Sequence, residues 1–361
     1  MTKQVGIGII GCGTISAAYL KAAQSFPILD VRGLADAIPE AAARRAAEFG
    51  LTAMSVEALL ADPAIEIVIN LTIPRVHVAV GLQILDAGKH AYSEKPLGIT
   101  TDEAKRLLSV AERRGLRVGS APDTFLGGAH QTCRKLVDAG AIGRPVGGTA
   151  FFMCPGHERW HPAPAFYYEA GGGPMLDMGP YYITDLVNLL GPVAQMSGMA
   201  SRLRESRMIT SQPLAGTTIP VDVPTHVAGT LLFASGAVIS IAMSFDVAKH
   251  RHLPLELYGT EGSLLVPDPN FFGGEIRRAK PGGLWRRERT EHAYADGNYR
   301  ILGVAEMAHA IRERRPHRAS GDLAYHVLEV MEAFGRSSDS GRFITIESRP
   351  ERPAPLDPRG L

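Results

Sequence analysis

A glycine-punctuated turn near the start restricts this chain more than any other feature. Residues 5–10 form a short apolar run, and Gly11-Cys12-Gly13-Thr14-Ile15-Ser16 follows at once, opening a stretch with helical spacing. Strand, glycine turn and helix in that order suit the pyrophosphate of a dinucleotide. Gly11 allows the sharp turn and Gly13 lets the backbone approach the phosphates, while the helix amide groups and positive dipole end receive the negative charge. Ser16 occupies the third glycine position and is still small enough for close helix–strand packing. Asp36, twenty residues past Ser16 at the end of the second expected strand, can accept hydrogen bonds from both adenosine ribose hydroxyls. A carboxylate there repels a 2′-phosphate, so NAD is favoured over NADP, although Arg44 and Arg45 could reach the site.

The rhythm of the first ~120 residues supports this reading. Apolar runs at 5–10, 29–35, 65–71, 90–93 and 116–119 alternate with helical patterns at 14–25 and 39–49. A further helix opens at Thr100-Thr101-Asp102-Glu103, which resembles a capping box, and stops at Gly115. Such βαβ units predict a doubly wound parallel sheet. Beyond them a helix is expected over 128–138, and strands dominate at 146–153, 227–234, 237–245, 255–258 and 263–266. These predict an α+β unit with a large, mostly antiparallel sheet. Helices are expected from about Pro180 to Leu190 and over 302–314 and 322–334, and four prolines mark 348–361 as a surface or disordered tail. The expected division is 1–122, 123–347 and 348–361.

Composition excludes several classes. The 38 Lys and Arg balance 37 Asp and Glu, so nothing suggests a nucleic-acid footprint, and 45% hydrophobic residues exclude a disordered chain. Three scattered cysteines, Cys12, Cys133 and Cys154, argue against a disulfide framework. The apolar region 227–245 is broken by Ala234-Ser235-Gly236 and reads as a hairpin rather than a membrane span. Met1-Thr2-Lys3 and the apolar run after it have the outline of a secretory leader, but the glycines fit a strand and phosphate turn better. The expectation is a cytoplasmic protein without membrane or nucleic-acid partners.

Two further motifs bring a resemblance. Glu94-Lys95-Pro96, preceded by Asn70-Leu71-Thr72-Ile73-Pro74 and His77, is similar to the glucose–fructose oxidoreductase / inositol dehydrogenase / rhizopine catabolism (Gfo/Idh/MocA) family. The stretch Gly171-Gly172-Gly173-Pro174-Met175-Leu176-Asp177-Met178-Gly179-Pro180-Tyr181-Tyr182 looks like the same family's second-domain signature. The resemblance spans residues 4–345. It implies a Rossmann domain followed by an α+β domain with an open sheet through which copies pair as homodimers or homotetramers. It also implies hydride transfer between nicotinamide and a sugar, sugar derivative or polyol. Candidate dinucleotide contacts are Gly11, Cys12, Gly13, Thr14, Ile15 and Asp36, joined by Thr72, Pro74, His77, Glu94 and Lys95.

Oxidising a secondary alcohol requires an acid/base within reach of the hydroxyl. Lys95 qualifies, since burial and a cationic nicotinamide both lower an ammonium's pKa, and Pro96 holds Lys95 in extended backbone. Asp177 and Tyr181 are spaced to share one helix face beside a cleft. Tyr181 stands where histidine is commoner in the family, resembling a Tyr-type branch, so either Lys95 or Tyr181 can carry the proton. Ser120-Ala121-Pro122-Asp123-Thr124 lacks the arginine many relatives have there; Asp123 is a candidate for binding substrate hydroxyls. Trp160, His161 and Tyr167 are candidates for stacking on and hydrogen-bonding to a sugar. Their segment, His157-Glu158-Arg159-Trp160-His161, matches a zinc-peptidase pattern, but prolines on both sides argue against the helix that chemistry needs, and no metal is expected. Two other readings stay open. Some relatives oxidise a ring hydroxyl transiently and eliminate a glycosidic substituent, and others are non-catalytic dinucleotide sensors.

Overall fold

A parallel strand pair needs a long crossover, and the first third of the chain supplies one between each successive pair. The computed structural model describes residues 3–361; Met1 and Thr2, where the leader-like start begins, lie outside the described residues. Strands β1 (Val5–Ile10), β2 (Leu29–Ala35), β3 (Ile67–Asn70), β4 (His90–Ser93) and β5 (Val118–Ser120) lie in the order β2-β1-β3-β4-β5, all parallel. Helices α1 (Thr14–Ala23), α2 (Pro39–Phe49), α3 (Val56–Ala61), α4 (His77–Asp86) and α5 (Thr101–Arg113) connect them. β2 lies on one side of β1 and β3 on the other, which leaves a crevice above the carboxyl end of β1. Every β1 residue is buried, so the run reads as continuously apolar. The Thr100 hydroxyl caps α5 by accepting the Glu103 amide at 3.3 Å.

The remaining elements form the second unit. They are α6 (Gly128–Asp138), β6 (Pro145–Met153), α7 (Pro174–Leu190), β7 (Val193–Ser201), β8 (Ser206–Met208), β9 (Thr218–Pro220), β10 (His226–Phe233) and β11 (Val238–Ser244). β12 (Leu255–Gly259), β13 (Gly262–Val266), β14 (Ile276–Ala279), β15 (Arg286–Glu288), α8 (Leu302–Arg312), α9 (Gly321–Ser340) and β16 (Ile344–Thr345) follow. Nine strands make one sheet, β15-β14-β13-β12-β6-β11-β10-β7-β16, antiparallel except for the β6–β11 pair. Helices α7 and α9 pack on one face against β6, β7, β10, β11 and β16, and α6 packs against β13; Ile239, Ile241, Leu255 and Leu257 are essentially inaccessible. The other face carries Met199, Leu232, Val238 and Tyr258 in the open. α8 leans back on β5, and the Arg312 side chain bonds the backbone of Lys3 and Gln4 and the carboxylate of Glu66.

One expectation is corrected. α7 begins at Pro174 and not near Pro180, because Gly173 at φ 87° ends the preceding loop and Pro174 takes the first-turn position where a proline loses nothing. Pro180 therefore sits inside the helix. The segment 348–361 takes the first of its two expected states and lies on the surface as an ordered strap. Arg352 donates to the carbonyls of Asn188 and Leu189 at the end of α7, Leu356 is buried, and its amide donates to Gln131 Oε1 at 2.8 Å. Among the described residues, no helix is long and apolar enough to cross a membrane.

Candidate functional site

The crevice above β1 is shaped by two glycines. Gly11 has φ 103°, and a Cβ there would lie 2.5 Å from the backbone carbon of Leu71, so only glycine fits the turn. A Cβ on Gly13 would meet nothing within 4 Å, and that open space lies directly over the amino end of α1. No side chain caps α1 and no acidic residue lies in its first turn, so its leading amides and dipole are free for an anion. Asp36 stands alongside, accepting the Cys12 amide at 2.7 Å and the Ile38 amide at 2.8 Å. Arg45 donates to the Gly13 carbonyl and pairs with Glu48. An open phosphate cradle flanked by a half-buried carboxylate fits NAD.

A cleft of about 460 Å³ continues from this cradle to the second unit. β3 and β4 end there in Thr72, Pro74, Glu94, Lys95 and Pro96; α1 adds Ile15, and the second face of α7 adds Asp177 and Tyr181. The helical spacing of Asp177 and Tyr181 places both on the cleft side of α7, four residues apart. Lys95 Nζ donates to Asp177 Oδ1 at 2.7 Å and to the Asp177 carbonyl at 2.6 Å, and it lies 5.2 Å from the Tyr181 ring centre. Burial alone would lower the Lys95 ammonium, but the Asp177 carboxylate beside it holds it above the usual lysine range. Burial likewise pushes Asp177 up, yet Lys95 and His157 bring it down to about 2. Both directions describe a locked ion pair. The expected downward effect of burial on Lys95 is thus overruled by its partner.

His157 holds the other side of the carboxylate. The indole Nε1–H of Trp160 donates to His157 Nδ1 at 3.1 Å, so Nε2 must bear the imidazole proton and donates it to Asp177 Oδ2 at 3.0 Å. Across the cleft Arg300 Nη2 donates to Asn270 Oδ1 at 2.9 Å and to the Tyr181 hydroxyl at 3.3 Å. Glu94 accepts the Tyr19 hydroxyl at 2.8 Å and the Lys95 amide at 2.9 Å. Trp160, Phe166, Tyr167 and Phe152 form an aromatic wall, with Trp160 61% exposed at its mouth.

The structure thus gathers Ile15, Thr72, Pro74, Glu94, Lys95, Trp160, Tyr167, Asp177 and Tyr181 around one space, with Gly11, Cys12, Gly13, Thr14 and Asp36 at its cradle end. Three expected site residues lie outside the cleft lining. His77 is fully buried, its ring nitrogens 2.7 Å from the Pro96 carbonyl and 2.9 Å from that of Thr72, so it ties two cleft loops together. Asp123 is 1% exposed and spends Oδ2 on the amides of Ile301 and Gly303. His161 stacks edge-on behind Trp160 and Tyr167, outside the cleft lining. His157, Asn270 and Arg300 also line the cleft, and the sequence reading passed over them. The only signal for His157 was the zinc-like pattern, in which Glu158 is in fact paired with Arg207. Among the described residues no cluster of His, Cys, Asp and Glu is arranged to hold a metal ion.

A dinucleotide cradle opening onto a lysine–carboxylate pair defines a two-lobed nicotinamide-dependent oxidoreductase. Residues 5–121 match the family described as "Oxidoreductase family, NAD-binding Rossmann fold", and residues 130–265 match the "GFO/IDH/MocA C-terminal domain". The chain belongs to the Gfo/Idh/MocA family. Similar curated proteins include 1,5-anhydro-D-fructose reductase of Ensifer adhaerens, 26% identical over 357 residues that cover 94% of this chain and 98% of the relative. Levoglucosan dehydrogenase of Pseudarthrobacter phenanthrenivorans is 26% identical over 290 residues, 73% of each chain. Among solved structures, a levoglucosan dehydrogenase in complex with NADH and L-sorbose superposes with a TM-score of 0.84 at 22% identity, covering 96% of this chain and all of that one, which shows the shared fold.

Proposed function

We propose that this oxidoreductase moves a hydride between NAD and a carbinol or carbonyl carbon of a sugar, sugar derivative or cyclic polyol. The observation that carries the reading is the convergence of Lys95, Asp177 and Tyr181 beside the glycine turn, with Lys95 Nζ 5.2 Å from the Tyr181 ring centre. The relatives named for anhydrofructose and levoglucosan chemistry support the substrate class. In this reading residues 1–122 hold the dinucleotide and 123–347 form the substrate wall.

Bound NAD supplies the hydride acceptor or donor, held by the Gly11–Gly13 turn, Asp36, Thr72, Pro74 and Glu94. Lys95 then holds the proton at the reacting oxygen: its ammonium donates during carbonyl reduction, and its amine accepts during alcohol oxidation. Asp177 aims Nζ and can accept a neighbouring substrate hydroxyl, while His157 fixes the carboxylate. The Tyr181 hydroxyl offers a second hydrogen bond to the same oxygen. The aromatic wall covers the apolar C–H face of the sugar and excludes water.

A screen of sugars and polyols, read at the reduced-nicotinamide absorbance band, tests the assignment. Lys95→Met should lower turnover about 10²- to 10⁴-fold; a variant as active as the parent overturns the proton path. The proposal extends to assembly and compartment. The open sheet face bearing Met199, Leu232, Val238 and Tyr258 joins copies into a homodimer or homotetramer, and three free cysteines suit the cytoplasm.

A further inference from the structure

One cation of the cleft has no direct ion-pair partner among the described residues. Lys95 and Asp177 neutralise each other, and His157 is neutral in the tautomer its partners impose. Glu94 belongs to the dinucleotide wall, at the end of β4, where a cationic nicotinamide is the natural neighbour. Arg300 stands on the substrate wall and makes no ion pair among the described residues. Its Nη2 is engaged by Asn270 and, at a long 3.3 Å, by Tyr181, while Nε and Nη1 make no hydrogen bond among the described residues. The Glu94 and Asp123 carboxylates act on this half-buried guanidinium only at a distance, so its unbonded nitrogens remain open to an anionic group of a ligand.

The backbone that presents Arg300 is built for the purpose. Ile301, the next residue, has φ 109°, a region that a β-branched side chain enters only when the surroundings force it. The force comes from Asp123, whose buried Oδ2 accepts the amides of Ile301 at 3.0 Å and Gly303 at 2.9 Å. Strain next to a cleft residue, held by a buried carboxylate, marks a position fixed for recognition rather than a surface arginine drifting into solvent.

We infer that Arg300 binds a carboxylate of the substrate, which makes the preferred substrate a sugar acid (an aldonic, uronic or similar polyhydroxy acid) rather than a neutral sugar. The inference rests on the proposed hydride transfer. Lys95 Nζ and the Arg300 guanidinium lie 5.2 and 5.9 Å from the Tyr181 ring centre, and all three residues line the same cleft. The reacting carbinol then faces Lys95 and the carboxylate faces Arg300. Asp123 is a positioning residue in this arrangement.

The test compares matched pairs of neutral sugars and their acids, with NADH formation as readout, for the parent protein, Arg300→Met, Arg300→Lys and Lys95→Met. Binding of the acids to the enzyme–NADH complex is measured by calorimetry alongside. The acid should be preferred at least tenfold in kcat/KM, as a charge-assisted hydrogen bond gives about 10- to 100-fold. Arg300→Met should collapse that preference toward one, chiefly through KM, and abolish calorimetric binding of the acid, and Arg300→Lys should restore part of both. Neutral sugars turned over as well as acids, or acids bound equally by Arg300→Met, would overturn the inference. Acid binding that depends on Arg300 without any Lys95-dependent turnover would uphold it while removing the hydride-transfer reading.

Discussion

Lys95 and Asp177 hold each other in the charged state, and that has a kinetic signature. An ammonium kept above the usual lysine range must lose its proton before it can act as a base, so alcohol oxidation should keep rising with pH into the alkaline range. In Asp177→Asn the adjoining carboxylate is gone and burial is opposed only by Tyr181 and Glu94, so the pKa of Lys95 falls from its value in the parent. The alkaline limb of kcat/KM should therefore move to lower pH, even as overall activity drops; a limb that stays in place removes Asp177 from the proton path. Gly11, Asp36, Lys95, Asp177 and Tyr181 were legible in the sequence because each belongs to a short motif whose chemistry is local. Arg300 was not, because its partner Tyr181 is 119 residues away and nothing around Asn298-Tyr299 signals a site. His157 was hidden by a pattern that pointed to different chemistry.

Helix boundaries show the same division between local and distant causes. The Thr100 box and the runs that make β1, β2 and β4 could be read directly, since caps and apolar runs act over a few residues. α3 and α4 gave no usable signal: the first is six residues long, and the second is apolar on several sides. Pro180 suggested a helix start because prolines favour first turns, but α7 accepts it inside, giving up one bond to the Leu176 carbonyl within a well-packed helix. At the entry to α8, Asp123 is pushed up to about 6 by burial, against an ordinary value of 3.8. The folded state then keeps a proton that the unfolded chain releases between pH 4 and 6, so this carboxyl subtracts stability as pH rises through that window, by about 3 kcal/mol at full ionisation. Asp123→Asn cannot ionise. Measured by denaturant titration, it should gain about that much relative to the parent between pH 4 and 7; a pH-independent difference would show that Asp123 is already ionised at low pH.

The two units meet in a way that makes the open sheet face a separate matter from the cleft. That face lies across the large sheet from α7 and α9, and its register aligns Leu232 with Val238 and Thr230 with Ser240. Thr230→Arg places a charge in the middle of it. If copies pair there, light scattering should show the variant falling to monomer mass with its circular dichroism unchanged; a parent that is itself monomeric, or a variant of unaltered mass, sinks the proposed assembly.

The chain also passes between the sheets more than once: after β5, again at Arg300-Ile301 where α8 returns to β5, and along α9, which packs on both α5 and β7. Lobes joined at several separated points cannot roll over one another as bodies on a single tether do. Each added joint restrains their relative rotation, so the placing of Lys95 opposite α7 is fixed by several distant parts of the chain at once.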